Sequence, residues 1–97
     1  TGEAIDARTA ERWGMINKIV PTGELRSAAM AYARRISANA PLAIQAAKEL
    51  ALRSRDMDLA TGLRMEQLVN RILQQSEDNR EARDAFANKR TPSFKGR

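Results

Sequence analysis

Residues 24–51, ELRSAAMAYARRISANAPLAIQAAKELA, decide the fold of this chain. In the first half of the stretch, apolar residues recur at spacings of three and four, which places them on one face of an α-helix. They are Leu25, Ala28, Ala29, Tyr32, Ala33 and Ile36. Asn39 and Ala40 interrupt the pattern, and Pro41 fits the first turn of a second helix, where its missing N–H costs nothing. The stretch therefore predicts two consecutive helices, and the second has a face of small residues suited to close helix approach.

The residues before this stretch predict a short helix followed by a strand. Asp6 can cap the helix by accepting hydrogen bonds from free backbone N–H groups, and Gly14 can end it in a left-handed conformation. Residues 15–20, MINKIV, are rich in β-favouring side chains, and Pro21 ends them. No other segment of the chain has the pattern of a strand, so this strand is predicted to lack its partner.

The residues after the stretch predict two more helices. Asp56 or Asp58 begins the longest one, which runs to about Gln75, and Asp78 with Glu81 forms a capping box for the last. The chain is therefore predicted to be mostly α, with about five helices and one short unpaired strand. Because each long helix has an apolar stripe that needs a partner, self-association is expected.

The composition excludes several classes of site. The chain has 97 residues and contains neither His nor Cys, so imidazole bases, thiolate nucleophiles, disulfides and zinc knuckles are excluded. No run of about 18 apolar residues and no signal-peptide pattern is present, and we expect a soluble, cytoplasmic protein with no membrane partner. Carboxylates, Lys, Tyr and backbone donors remain as possible catalytic groups.

The positive charge is concentrated at one end. Lys89, Arg90, Lys95 and Arg97 lie in residues 86–97 with no acid among them, and they account for most of the formal net charge of +5. A DNA-binding domain more often carries a basic stripe along a helix. Nucleic-acid binding is therefore not favoured, and it is kept only within an alternative function, a freestanding helical interaction module whose basic tail binds acidic partners or nucleic acid.

The acidic residues Glu77, Asp78, Glu81 and Asp84 are the one local cluster that suggests a metal site. Their position at the start of a helix is explained by capping and by favourable interaction with the helix dipole. No metal site is predicted, and no glycine-rich phosphate loop is present.

Four segments, in order along nearly the whole chain, resemble the enoyl-CoA hydratase/isomerase (crotonase) family. They are TGEAIDARTAERWGMINKIVP (1–21), APLAIQAAK (40–48), GLRME with SEDNRE (62–66 and 76–81) and AFANKRTPSFKG (85–96). No single segment is specific, and the ordered set carries the resemblance.

The resemblance implies the helical C-terminal region of an enzyme acting on acyl-CoA thioesters, in fatty-acid or related metabolism. Residues 1–22 would be the end of the core, and residues 23–97 an oligomerisation region that packs subunits into trimers or hexamers. The family's catalytic carboxylates and oxyanion-hole amides would precede Thr1, so we assign no catalytic residue, and we expect the 97-residue chain alone to be inactive. No cofactor is implied, because the CoA thioester is the substrate. The substrate and the reaction, hydration, isomerisation or another, are left open.

Lys89, Arg90 and Phe94 are the candidate contacts to CoA, since a cation pairs with a phosphate and an aromatic ring can cover a base. The alternative for all three is that they dock the tail. Many family members place a Lys and a Phe near the adenine at positions occupied here by Gln67 and Asn70, so whether these two residues contact CoA is left open.

Overall fold

Five α-helices form the secondary structure of the chain, together with one short 3-10 helix at Thr22–Glu24. A computed structural model describes all residues from Thr1 to Arg97. The helices are α1 (Ala7–Arg12), α2 (Leu25–Ser37), α3 (Pro41–Arg53), α4 (Leu59–Leu73) and α5 (Glu77–Ala87). The prediction of a mostly α chain with about five helices is confirmed.

The strand predicted at residues 15–20 is wrong. Residues 15–17 bend and residues 18–20 have no regular structure. Strand-favouring side chains produce a strand only when a second strand supplies the ladder of hydrogen bonds, and no other segment of this chain does so. The segment is held instead by a side chain, because the N–H of Ile19 donates to the carboxylate of Glu11 at 3.0 Å.

The first helix begins and ends as its sequence predicts. The carboxylate of Asp6 accepts a hydrogen bond of 2.7 Å from the N–H of Thr9. At the other end Gly14 has a φ of 74°, a conformation that an L side chain rarely adopts. The N–H groups of Gly14 and Met15 both donate back to the last turn of α1.

Asp58 caps α4, and its carboxylate accepts from both the N–H and the hydroxyl of Thr61 at 3.0 and 2.7 Å. These two bonds lower the pKa of Asp58. Asp58 was one of two residues predicted to begin the longest helix, the other being Asp56.

The cap of α5 differs from the capping box predicted at Asp78 and Glu81. Ser76 is the capping residue, and its hydroxyl accepts from the N–H of Asn79 at 3.1 Å while donating to the carbonyl of Leu73 at 2.7 Å. A hydroxyl can do both at once, whereas a carboxylate can only accept. Ser76 therefore joins the end of α4 to the start of α5.

The chain forms two compact units, residues 1–33 and 34–97. In the second unit α3 packs against α4. Only Ala85 and Asp78 are buried, each with 2% exposure. Large apolar side chains in both units are exposed, including Trp13, Leu59 and Phe86. None of the five helices combines the length and apolar character that crossing a bilayer requires.

Candidate functional site

The main candidate site is the C-terminal strap, which we define as residues 89–97, and the face of α5 that holds it. Lys89 has a φ of 51°, the only positive value at a residue other than glycine. The N–H of Lys89 donates to the carbonyl of Phe86 at 3.2 Å, and that of Arg90 to the carbonyl of Ala85 at 3.0 Å. This pair of bonds is a Schellman motif. It reverses the chain, so that the strap runs back along α5.

Arg90 fastens the first part of the strap to α5. Its Nη1 and Nη2 donate to the two carboxylate oxygens of Glu81 at 2.6 and 2.9 Å, and Nη2 also pairs with the carboxylate of Asp84. Two parallel hydrogen bonds to one carboxylate fit the planar guanidinium group. Arg90, predicted as a CoA contact, is thus placed by the structure in the docking of the strap, although its side chain is still 41% exposed.

Glu81 also holds the backbone of the strap. Its Oε1 accepts from the N–H of Ser93 at 2.7 Å. The hydrogen bonds from Arg90, and after them the one from Ser93, lower the pKa of Glu81 to about 2. The hydrogen bonds to Glu81 and Asp84 raise the pKa of Arg90. The ionised form of Glu81 is therefore the one that holds the strap.

Asp78 fastens the end of the strap. Its two carboxylate oxygens accept from the N–H groups of Lys95 and Gly96 at 2.7 and 2.8 Å, and its own N–H donates to the carbonyl of Arg97 at 3.0 Å. The Nε of Arg97 pairs with the carboxylate of Glu77 at 3.0 Å. A buried carboxylate is stable only when its oxygens are hydrogen-bonded, and the strap supplies those bonds.

The acidic cluster predicted to complement the helix start therefore has a further role that the sequence interpretation missed. Its members Glu77, Asp78, Glu81 and Asp84 all bind donors of the strap. The signal that could have found this pairing is charge complementarity, because four acids over eight residues precede four cations in the tail. No group of acidic residues in the chain is arranged to hold a metal ion.

The other two predicted CoA contacts lie on the same strap. Phe94 is half-buried, between Ser93 and Lys95, whose N–H groups are both bonded to α5. Lys89 is exposed and takes part in none of the four salt bridges. The structure thus places Lys89, Arg90 and Phe94 on one anchored segment. Gln67 and Asn70 are exposed on α4.

A second feature is an apolar groove of about 430 Å³ between α3 and α4. Its lining includes Leu50, Ala51, Leu59, Gly62 and Leu63. Apart from its chain neighbours and the backbone of its own helix, the atom nearest to the position that a Cβ of Gly62 would occupy is the Sδ of Met57 at 3.6 Å. Apart from α4 itself, no backbone of this chain lies within 4 Å of this position.

The helices and the anchored strap place this chain in the all-α class. Its whole length, residues 1–97, matches the family model for enoyl-CoA hydratase/isomerase. The chain belongs to this family, and the resemblance found in the sequence is confirmed.

Relatives of known sequence and structure agree with this assignment. The chain is 38% identical over 96 residues to (E)-benzylidenesuccinyl-CoA hydratase of Thauera aromatica, covering 99% of this chain and 38% of the relative. It is 36% identical over 97 residues to 2,3-dehydroadipyl-CoA hydratase of Escherichia coli, covering 100% and 38%. An enoyl-CoA hydratase crystal structure from Mycobacterium marinum superposes with a TM-score of 0.90 at 35% identity, over 100% of this chain and 40% of that one. The chain thus spans well under half the length of the relatives that it matches.

Proposed function

We propose that this chain is the C-terminal helical part of an enzyme that acts on acyl-CoA thioesters, a hydratase or isomerase. The observation that carries the proposal is the match of all 97 residues to the enoyl-CoA hydratase/isomerase family. The relatives described above are CoA hydratases by name, which favours a CoA thioester as the substrate here. The catalytic carboxylates would lie outside these 97 residues, and the chain would contribute to packing subunits and to the wall of the CoA pocket.

Exposed apolar side chains support the packing role. Leu59, Ile72 and Phe86 are 77%, 70% and 88% exposed, and burying such side chains contributes about 1.5–3 kcal/mol each. A homo-oligomer, a trimer or hexamer, would cover such faces. Sedimentation of the protein in its natural full length tests this role, and a monodisperse monomer at high concentration would contradict it.

The strap supports the CoA role. Lys89 would pair with a phosphate and Phe94 would cover the adenine, while Arg90, paired with Glu81 and Asp84, would hold the strap in place. Lys89→Gln should weaken the binding of CoA by roughly two- to fivefold, the effect of losing one exposed ion pair. Lys18→Gln, the same change at an exposed site outside the strap, is the matched control. Equal affinity of both variants in calorimetric titration with CoA would exclude Lys89 as a phosphate contact.

Activity is the direct test of the assignment. The protein in its natural full length should turn over an enoyl-CoA thioester, tested first with crotonyl-CoA by loss of the enoyl-thioester absorbance, and the 97-residue chain alone should not. Turnover by the 97-residue chain, in proportion to its concentration, would show that the catalytic groups lie within it.

The alternative of a freestanding module with a nucleic-acid-binding tail has less support. Arg90 and Arg97, two of the four tail cations, are paired with carboxylates of α5. Because binding to a nucleic acid depends on cations that are available to phosphates, no observation favours this function over the first.

A further inference from the structure

We propose that Asp78 is a positioning residue for CoA binding, because it fixes the strap on the C-terminal side of Phe94, whereas Glu81 fixes it on the N-terminal side. This inference rests on the proposed function and adds a residue that does not itself touch the ligand. It starts from the burial of Asp78, the one buried charged side chain of the chain, with 2% exposure.

The two oxygens of Asp78 are used by consecutive backbone amides, Lys95 and Gly96, at 2.7 and 2.8 Å. Charge-assisted bonds of this length are stronger than bonds between neutral groups. The N–H of Asp78 in turn donates to the carbonyl of Arg97 at 3.0 Å. These three bonds, which we call the clasp, tie three consecutive strap residues to the first turn of α5.

Phe94 lies between this clasp and the bond from the N–H of Ser93 to Glu81, which is 2.7 Å long. Its backbone is therefore fixed on both sides by carboxylates of a single helix. Anchoring the backbone on both sides restricts the directions that the side chain between the anchors can take. This restriction lowers the entropy cost of ordering the side chain when a ligand binds. Asp78 would thus act on the adenine end of CoA through the strap and Phe94.

Gly96 provides a second, independent way to disturb the clasp. Its φ is 74°, and a Cβ at this position would lie 3.6 Å from the Cβ of Pro41, which is ordinary contact. Gly96→Ala would therefore weaken the docked strap through backbone strain alone. This change leaves every side chain of α5 in place.

The test compares Asp78→Asn with the wild type in the natural full-length protein. The two strap amides bond different oxygens of Asp78, and Asn replaces one of these oxygens by an NH₂ group, so one strap amide would face a donor instead of an acceptor. Hydrogen exchange at Lys95 and Gly96 should accelerate. KM for crotonyl-CoA should rise about tenfold, the effect of losing one base–aromatic stack, with kcat retained. KM for crotonyl-pantetheine, which lacks the nucleotide, should not change.

Two further variants complete the experiment. Asp56→Asn, the same change at an exposed aspartate in the connection between α3 and α4, should behave as the wild type. Gly96→Ala should raise KM for crotonyl-CoA about fivefold and leave KM for crotonyl-pantetheine unchanged. It carries the test if Asp78→Asn does not fold.

The outcomes separate the two proposals. Faster exchange with unchanged KM for crotonyl-CoA would overturn the positioning role alone, and so would an equal rise in KM for both substrates. Unchanged exchange at Lys95 and Gly96 would show that Asp78 does not hold the strap. A wild-type protein that neither binds CoA nor turns over crotonyl-CoA would overturn the proposed function and the inference that rests on it, while the exchange data would still report on the clasp.

Discussion

Glu81 and Arg90 face each other across the turn that ends α5 and form a two-pronged ion pair with N–O distances of 2.6 and 2.9 Å. The same carboxylate accepts from the N–H of Ser93, so that one acid holds both a side chain and the backbone of the strap. This arrangement links the docking of the strap to the ionisation of Glu81.

We expect acid to release this part of the strap. The pKa of Glu81 is lowered from 4.5 to about 2 by its bonds from Arg90 and Ser93. A group with a lowered pKa in the folded state contributes fully above its unfolded pKa and loses this contribution as pH falls through the folded value. Docking should thus weaken between pH 4.5 and about 2, measured by the amide resonance of Ser93 and its exchange rate. Glu81→Gln should have a loosened strap at neutral pH and little further change at Ser93 across this window. A wild-type transition centred near neutral pH would contradict the assignment.

Lys89 at a positive φ of 51° is expected to cost stability. Lys89→Gly should raise the free energy of unfolding by about 0.5–1 kcal/mol, since glycine adopts this conformation without a clash of its Cβ. Lys89→Ala is the control, because it removes the charge but keeps the Cβ, and it should not stabilise. Urea unfolding followed by circular dichroism measures both changes. Equal stability of the Gly and Ala variants would show that the turn is not strained.

Replacing Gly62, inside α4, by alanine should change the stability in the opposite direction from replacing a glycine that has a positive φ. Gly62→Ala should stabilise by about 0.5–1 kcal/mol, because its Cβ would make only ordinary contact with Met57 at 3.6 Å. Gly14→Ala is the matched comparison. With a φ of 74° and nothing within 4 Å of its Cβ, it should destabilise by about 1 kcal/mol through the backbone alone. Thermal unfolding of both variants measures the difference, and destabilisation by Gly62→Ala would indicate that another backbone approaches this helix.

Some parts of the fold could be predicted because they depend on neighbouring residues. The helices follow from apolar spacing, and the ends of α1 follow from a carboxylate at Asp6 and a left-handed glycine at Gly14. These are interactions within one or two turns, so the local sequence contains all the groups that take part. The membership of the family was likewise predictable, because its ordered segments run along nearly the whole chain.

The sequence by itself thus determined the helices and the family, whereas only the tertiary structure decided the state of residues 15–20 and the partners of the acidic cluster. A strand needs hydrogen bonds from a second strand, so β-favouring side chains could not determine that segment alone. Asp78 appeared to be a helix cap because its partners, Lys95 and Gly96, are 17 and 18 residues away. The return of the strap along α5 brings these amides to the carboxylate, and this reversal depends on the unusual backbone of Lys89, which its side chain does not signal.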